Sequence, residues 1–109
     1  MQEDGLDILV KIKRLVIARR VIFSSKAREE RLSCDLSVED VLEAILNAPT
    51  INKTMRSTSQ FRKSSREKLY VIISSTYDGR LIYTKGTIRK INDVEEFYIL
   101  ISAKWSSYE

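Results

Sequence analysis

The spacing of apolar residues changes from a helical period to a strand period near the middle of this 109-residue chain. Over residues 6–48 the apolar side chains recur every three or four positions, as they do in amphipathic helices. Over residues 69–105 they form a continuous run and then alternate with polar ones, as in β-strands. This order predicts an α+β fold, with N-terminal helices packed on one face of a small antiparallel β-sheet. The length suits one hydrophobic core, so residues 1–109 are interpreted as a single domain.

The first helix is predicted to run from Leu6 to Arg19 or Arg20, and "VIF" follows it as a short strand. Charged residues lie opposite its apolar face, so we expect that face to be buried. The face is expected to contain Leu6, Leu9, Val10, Val16 and Ile17, with Ile8, Ile12 and Leu15 widening the apolar band.

Serines mark the starts of two further helices. Ser24 or Ser25 can cap the short charged helix "KAREERL", because a serine hydroxyl accepts a hydrogen bond from a free backbone N–H at a helix start. Ser37 begins a third helix with an acidic first turn, and Pro49 ends it. These signals place all predicted helices before residue 50.

The second half is predicted to be an antiparallel meander. The run "LYVIISS" is typical of a strand covered on both faces, and Asp78-Gly79 is expected to form a two-residue hairpin turn. An alternating strand over residues 81–90 leads to a second tight turn at Asn92-Asp93 and then to the final strand. Earlier in the chain, "INKTM" is interpreted as another strand of this sheet.

Alternation predicts which strand residues face solvent. If the helices cover Ile82 and Ile88, then Tyr83, Lys85 and Arg89 lie on the open face. On the final strand, the outward row is expected to be Tyr98, Ser102 and Lys104. The inward row is expected to be Phe97, Ile99, Ile101, Ala103 and Trp105.

Several classes of enzyme are excluded by composition. The chain has no histidine, which removes the Ser-His-Asp triad and the HExxH metal site. Cys34 is the single cysteine, so neither an internal disulfide nor a cysteine-based zinc site is expected, and a reducing cytoplasmic setting is favoured. No stretch approaches the about 18 apolar residues of a membrane span, and the acidic N-terminus is unlike a secretory signal. We therefore expect no metal or other cofactor and no membrane association.

The positive charges are clustered. The formal net charge is +4, and Lys and Arg concentrate in residues 53–68 and 80–90. Aromatic rings among cations suit single-stranded RNA, because unstacked bases lie on the rings while cations contact phosphates. Two alternatives stay open, namely that the lysines are scattered and solvated, and that the tyrosines are ordinary outward-facing strand residues.

Two segments carry a family resemblance. The run "DILVKIKRLVIARRVIFSSKAREERLSCDLSVEDVLEAI" and the following "NKTMRSTS" resemble the MqsR toxins and a related bacterial domain family of uncharacterised function. The order of helices and strands is similar over nearly the whole chain. The resemblance implies a RelE-like toxin that cleaves mRNA, free or on the ribosome, and that has a cognate antitoxin protein as its partner.

The resemblance also implies roles for particular residues. Lys53 in "NKTM", Tyr83 in "LIYTKG" and Lys104 in "SAKW" match the family's active-site lysine, strand tyrosine and last-strand lysine. Lys26 in "SSKARE" stands where the uncharacterised relatives commonly carry His. Gln60 is out of register with the family glutamine, so we assign it no role. The residues expected to bind RNA are Arg56, Arg62, Lys63, Lys85, Arg89 and Tyr98.

Such residues suit metal-free endoribonuclease chemistry. The ribose 2′-OH attacks the adjacent phosphorus and leaves a 2′,3′-cyclic phosphate, with a lysine or tyrosine as proton acceptor and cations on the developing charge. The alternative is a catalytically inactive RNA- or protein-binding module of the same fold. In a third hypothesis the first helix is an oligomerisation surface and the basic segment is solvated.

Overall fold

A computed structural model of the chain describes residues 5–58 and 67–106. Within these ranges there are three helices and five strands, which confirms the α+β class. In chain order they are α1 (Gly5–Ile17), β1 (Val21–Phe23), α2 (Ser25–Ser33), α3 (Val38–Asn47), β2 (Lys53–Arg56), β3 (Lys68–Ser75), β4 (Leu81–Ile91) and β5 (Glu95–Trp105). None of the helices in the described ranges is long and apolar enough to span a membrane.

The starts of α2 and α3 follow from their serine caps. The Ser24 hydroxyl accepts the Ala27 N–H at 3.1 Å, so Ser24 is the cap of α2. At α3, the Ser37 hydroxyl accepts the Asp40 N–H at 3.0 Å, and the Asp40 carboxylate accepts the Ser37 N–H at 3.0 Å. This reciprocal capping box satisfies two backbone donors that the helix itself leaves free.

The buried face of α1 differs from the predicted one. Leu9 and Val16 are buried as expected, but Leu6 and Ile17 are 67% and 70% exposed. The core-facing stripe is centred on Ile12, which is fully buried. The predicted face was therefore rotated about the helix axis, because apolar residues surround much of α1 and only its packing against α3 and β5 selects one side. The helix also ends earlier than predicted, at Ile17.

The five strands form one sheet in the order β1-β5-β4-β3-β2. β1 pairs with β5 in parallel, and the other neighbouring strands pair antiparallel. Helices α1 and α3 cover one face, where their apolar side chains meet Ile72, Ile82 and Leu100 in the core. Neither α1 nor α3 covers the opposite face. The outer strands of the sheet are β1 and β2.

A bulge in β5 corrects the predicted faces of the final strand. Lys85 pairs with Ser102 while Gly86 pairs with Leu100, so Ile101 is an extra residue on β5. The alternation therefore changes phase at Ile101. Tyr98 and Leu100, which were predicted to point outward, point into the core with 0% exposure. Ala103, on the other side of the bulge, faces the core as predicted. The expectation that Tyr98 lies on the open face is wrong for this reason, as is the placing of Phe97, Ile99 and Ile101 in the inward row.

One hairpin turn is confirmed and the other is corrected. Asn92 and Asp93 both adopt positive φ, at 55° and 57°, as their tight turn requires. Between β3 and β4, the connection runs from Thr76 to Arg80 and is longer than the predicted two-residue turn. Only Gly79 there has positive φ; its N–H closes a turn on the Thr76 carbonyl at 3.0 Å, and longer hairpin loops commonly end such a turn with a left-handed residue.

Candidate functional site

Tyr83 and Lys104 meet on the sheet face that α1 and α3 leave open. They are direct partners in the β4–β5 ladder. The Lys104 Nζ atom lies 5.5 Å from the centroid of the Tyr83 ring, within the range of a cation–π contact. Tyr83 is half-buried and Lys104 is exposed, so both side chains are in part accessible to solvent. The structure thus brings together two of the predicted site residues.

Glu30, a residue without a predicted role, connects α2 to this pair. Its Oε1 atom accepts the Ser102 hydroxyl at 2.6 Å and the Ala103 N–H at 3.1 Å, and its Oε2 atom lies 3.8 Å from Lys104 Nζ. Helix α2 reaches this position because β1 pairs only with residues 98–100 of β5 and the chain then turns into α2. Glu30 therefore satisfies a backbone donor that β1 leaves unpaired and places a carboxylate beside Lys104.

The environment of Glu30 favours its ionised form. Partial burial alone would raise its pKa, but the hydrogen bonds from Ser102 and Ala103, together with the charges of Lys26 and Lys104, outweigh that effect. The pKa of Glu30 is therefore lowered. Lys26 precedes Glu30 by one helical turn, the spacing at which opposite charges on a helix attract. A negative charge thus lies among three predicted site residues.

Lys85 completes the group. It lies on the same face of β4 as Tyr83, two residues further along, and is directly opposite Ser102 in the ladder. Lys26, Glu30, Tyr83, Lys85 and Lys104 together are named the Tyr83 cluster. It contains three lysines, one carboxylate and one aromatic ring, an arrangement that can contact a phosphate and a base at the same time.

Lys53 is on the same face of the sheet but apart from the Tyr83 cluster. It pairs with Val71, which in turn pairs with Lys85, so two strand spacings of together roughly 10 Å separate Lys53 from Lys85. Lys104 is one strand further still. The structure therefore does not bring Lys53 into contact with Tyr83 and Lys104.

Arg89 is already held by a carboxylate. Its guanidinium contacts Glu67 through Nε–Oε1 at 2.5 Å and Nη2–Oε2 at 3.1 Å, and the Glu67 side chain is only 4% exposed. The hydrogen bond to Glu67 is the main reason that the pKa of Arg89 is raised. This bidentate ion pair holds the end of β4 against Glu67, the residue before β3. Because the guanidinium is already paired, Arg89 is poorly available to phosphates.

The remaining predicted RNA-binding residues are dispersed. Thr54 pairs with the core residue Tyr70, so Thr54 is on the core side of the sheet. Arg56 is two residues further along β2 and therefore lies on the same side, opposite Tyr83. Tyr98 is in the core. Arg62, Lys63 and Gln60 lie outside the described residues.

Comparison with known proteins does not identify a family for this chain. No protein-family model matches the chain, and neither a curated protein nor a solved structure matches it. Within residues 5–58 and 67–106, no group of three or more His, Cys, Asp or Glu side chains is placed to hold a metal ion.

The spacing of Lys26 and Glu30 is the one sequence signal that could have identified Glu30. A Lys and a Glu four residues apart share one face of a helix. However, its contacts with Ser102 and Ala103 join residues 72 and 73 positions apart, and those contacts depend on where α2 docks. The carboxylate of this cluster therefore follows from the tertiary structure.

Proposed function

We propose that this chain binds single-stranded RNA at the Tyr83 cluster and cleaves it without a metal ion, as the toxin of a type II toxin–antitoxin pair. The observation that carries the proposal is the contact between Lys104 and Tyr83, with Glu30 beside the lysine. A base can stack on the Tyr83 ring while Lys104 and Lys85 contact the flanking phosphate. The resemblance to MqsR-like toxins supports the same two residues.

The proposed reaction is an internal transfer of the phosphate. The ribose 2′-oxygen forms a bond to phosphorus, the bond to the 5′-oxygen breaks, and the products are a 2′,3′-cyclic phosphate and a free 5′-OH. Lys104 stabilises the negative charge that develops on the phosphoryl oxygens. A basic side chain of the cluster, for which Lys26 is the candidate, takes the 2′-OH proton, and a proton returns to the departing 5′-oxygen. Tyr83 orients the nucleotide.

The placement of Lys53 favours a second candidate function. Because Lys53 is separated from Lys104 by three strand steps, one lysine expected from the family resemblance is missing from the Tyr83 cluster. An RNA-binding module without catalysis needs only the ring and the cations. Under this second proposal the chain binds RNA at the same cluster and leaves it intact.

Expression in a bacterial host separates these functions. The parent chain is compared with the Lys104→Ala and Tyr83→Ala variants, and RNA fragments are examined for 2′,3′-cyclic ends in the presence of a metal chelator. Growth arrest and cleavage by the parent, both lost in the two variants, support the nuclease. Lys90→Ala is the matched control, because Lys90 is an exposed lysine on β4, the strand of Tyr83, but on the other face.

If expression of the parent chain does not arrest growth, RNA binding is measured instead. The affinity for oligouridine should then fall steeply with increasing salt, since phosphate contacts release counterions. Lys104→Ala should weaken this binding more than Lys90→Ala does. A Lys26→His variant that gains cleavage would identify the parent as a nuclease whose proton acceptor has been replaced. Equal toxicity of all variants, or binding that is insensitive to salt, would rule out the Tyr83 cluster as an RNA site.

A further inference from the structure

β2 leaves one edge of the sheet open. It is the last strand in the sheet order. Its antiparallel ladder with β3 is regular, without a bulge, from the Lys53–Val71 pair to the Arg56–Lys68 pair. In the same register, the Ser57 N–H donates to the Glu67 carbonyl at 2.9 Å. Because the direction of hydrogen bonding alternates along an antiparallel strand, the N–H and C=O groups of Thr54 and Arg56 point away from β3. No strand of the described residues pairs with these groups, which are oriented to pair with a further strand.

The side chains beside this edge carry positive charge, and no carboxylate of residues 5–58 and 67–106 pairs with them. Arg56 and Lys68 are directly opposite each other in the β2–β3 ladder, and both are exposed. Like charges in such a position repel. Neither forms an ion pair with any residue of the described ranges, whereas Arg19, Arg80 and Arg89 each contact a carboxylate. A carboxylate placed between Arg56 and Lys68 would remove this repulsion.

A groove runs along the same residues. Thr54, Met55, Arg56 and Lys68 line a space of about 520 Å³. Met55 pairs with Leu69, so its side chain lies on the other face of β2 from Arg56 and Lys68, where it adds an apolar and adaptable surface to the edge. The groove therefore combines hydrogen-bonding backbone, a pair of cations and an apolar contact, which are the features that recognise an extended peptide.

The charges select the class of partner. A second copy of β2 would bring Lys53 and Arg56 against the same cations, and such repulsion is a common protection against edge-to-edge pairing. A nucleic acid would contact the cations, but its phosphates offer no N–H for the outward carbonyls of Thr54 and Arg56. An acidic peptide satisfies the cations, the carbonyls and the N–H groups together.

We propose that the open edge of β2 binds an extended acidic segment of a partner protein, which adds to the sheet as a sixth strand. Carboxylates of that segment contact Arg56 and Lys68, and an apolar residue contacts Met55. The site is independent of RNA cleavage, because Arg56 lies on the face opposite Tyr83. The edge can therefore be occupied while the Tyr83 cluster is tested separately.

Backbone amide spectra of the full chain with a model peptide test the proposal. The probe is acetyl-Glu-Val-Glu-Val-Glu-Val-amide, and the same peptide with Lys in place of Glu is the charge control. We expect the acidic peptide to shift the amide signals of Thr54 and Arg56 and to slow their hydrogen exchange, and the basic peptide to leave them unchanged. An absence of shifts at Thr54 and Arg56 overturns the proposal, as does an oligouridine that shifts them when the acidic peptide does not.

Two variants sharpen the test. Thr54→Pro removes an N–H that points away from β3, so it keeps the β2–β3 ladder and is expected to weaken peptide binding about tenfold, the effect of one lost hydrogen bond. A chain with both Arg56→Glu and Lys68→Glu should prefer the basic peptide. Arg28→Ala, which removes an exposed cation on α2, is the matched control and should bind the acidic peptide like the parent. Unchanged preference in the double variant contradicts the proposal even if Thr54→Pro fails to fold.

Discussion

Gly86 and Tyr98 are in direct contact across β4 and β5, in a space that admits no side chain at position 86. A Cβ atom on Gly86 would lie 2.5 Å from Cζ of Tyr98, 2.7 Å from its Oη and 2.9 Å from the Ile99 carbonyl oxygen. The glycine therefore makes room for the ring that the β5 bulge turns into the core. This contact explains why Tyr98 is buried although it belonged to the predicted outward row.

Gly86→Ala should destabilise the fold. The added methyl group has to displace the Tyr98 ring and a backbone oxygen, and overpacking of this kind costs roughly 1–3 kcal/mol. Urea denaturation at neutral pH measures the change in the free energy of unfolding. Lys85→Ala, one residue away on the open face, is the control and should change it by about 0.5 kcal/mol or less. Equal stability of Gly86→Ala and the parent would show that the ring can move aside.

Tyr98→Phe should be neutral or stabilising. The Tyr98 hydroxyl is buried and has no hydrogen-bond partner among the described residues. A buried hydroxyl without a partner costs about 1–3 kcal/mol, so removing it should raise the free energy of unfolding by an amount up to that size. Urea denaturation measures this change. A clear loss of stability would mean that the hydroxyl has a partner in solution.

The titration of the phenol gives a second measurement on Tyr98. Burial, with a smaller contribution from Tyr70, raises the pKa of the Tyr98 phenol well above its ordinary value. Tyr98 should therefore stay neutral at a pH of about 10 to 11, where ordinary tyrosines ionise. The tyrosinate absorbance of the folded parent and of Tyr98→Phe should be equal in that range. A smaller absorbance change in the variant would contradict the burial of this group.

Glu67→Ala should be strongly destabilising. It leaves Arg89 without the buried carboxylate that it contacts through two nitrogen atoms, and breaking a buried ion pair costs about 3–5 kcal/mol. The control is Glu95→Ala, because Glu95 pairs with Arg20 at 3.6 Å on the surface, where such pairs contribute about 0–1 kcal/mol. Thermal and urea denaturation of both variants measure the difference. Similar stabilities would show that the Glu67–Arg89 pair is solvated.

Acid should remove the contribution of Glu30 to stability. The folded pKa of Glu30 is lowered from the ordinary value of 4.5, so above that value the carboxylate is ionised in both states and its contribution is complete. As the pH falls below 4.5, the unfolded chain takes up the proton first and the contribution is lost. Denaturation measured from pH 6 downwards should therefore give a shallower acid slope for Glu30→Gln than for the parent.

Two features of the chain make the Glu30 prediction specific. Asp40, whose pKa is lowered chiefly by the backbone N–H of Ser37, remains in the variant and keeps part of the slope. Glu29→Gln changes the neighbouring exposed residue on α2 and should leave the slope of the parent unaltered. If Glu29→Gln and Glu30→Gln flatten the slope equally, the contacts of Glu30 with Ser102 and Ala103 are not the cause.

Local sequence determined the elements of this fold. The serine caps placed the starts of α2 and α3, and the double positive φ at Asn92 and Asp93 followed from the residues in that turn. The change from helical to alternating apolar period predicted helices before strands and a sheet covered on one face. These features depend on interactions between residues that are close in the chain, so a single sequence contains the information for them.

Tertiary structure decided which side chains meet. The bulge at Ile101 reversed the faces of half of β5, the docking of α2 brought Glu30 to Lys104, and the strand order separated Lys53 from both. The sequence correctly predicted that Tyr83 and Lys104 share one open face. Lys104 lies on the C-terminal side of the bulge, where the alternation of β5 is as predicted. Strand register and helix docking are set by packing between residues distant in sequence, such as Gly86 with Tyr98, and no local pattern contains that information.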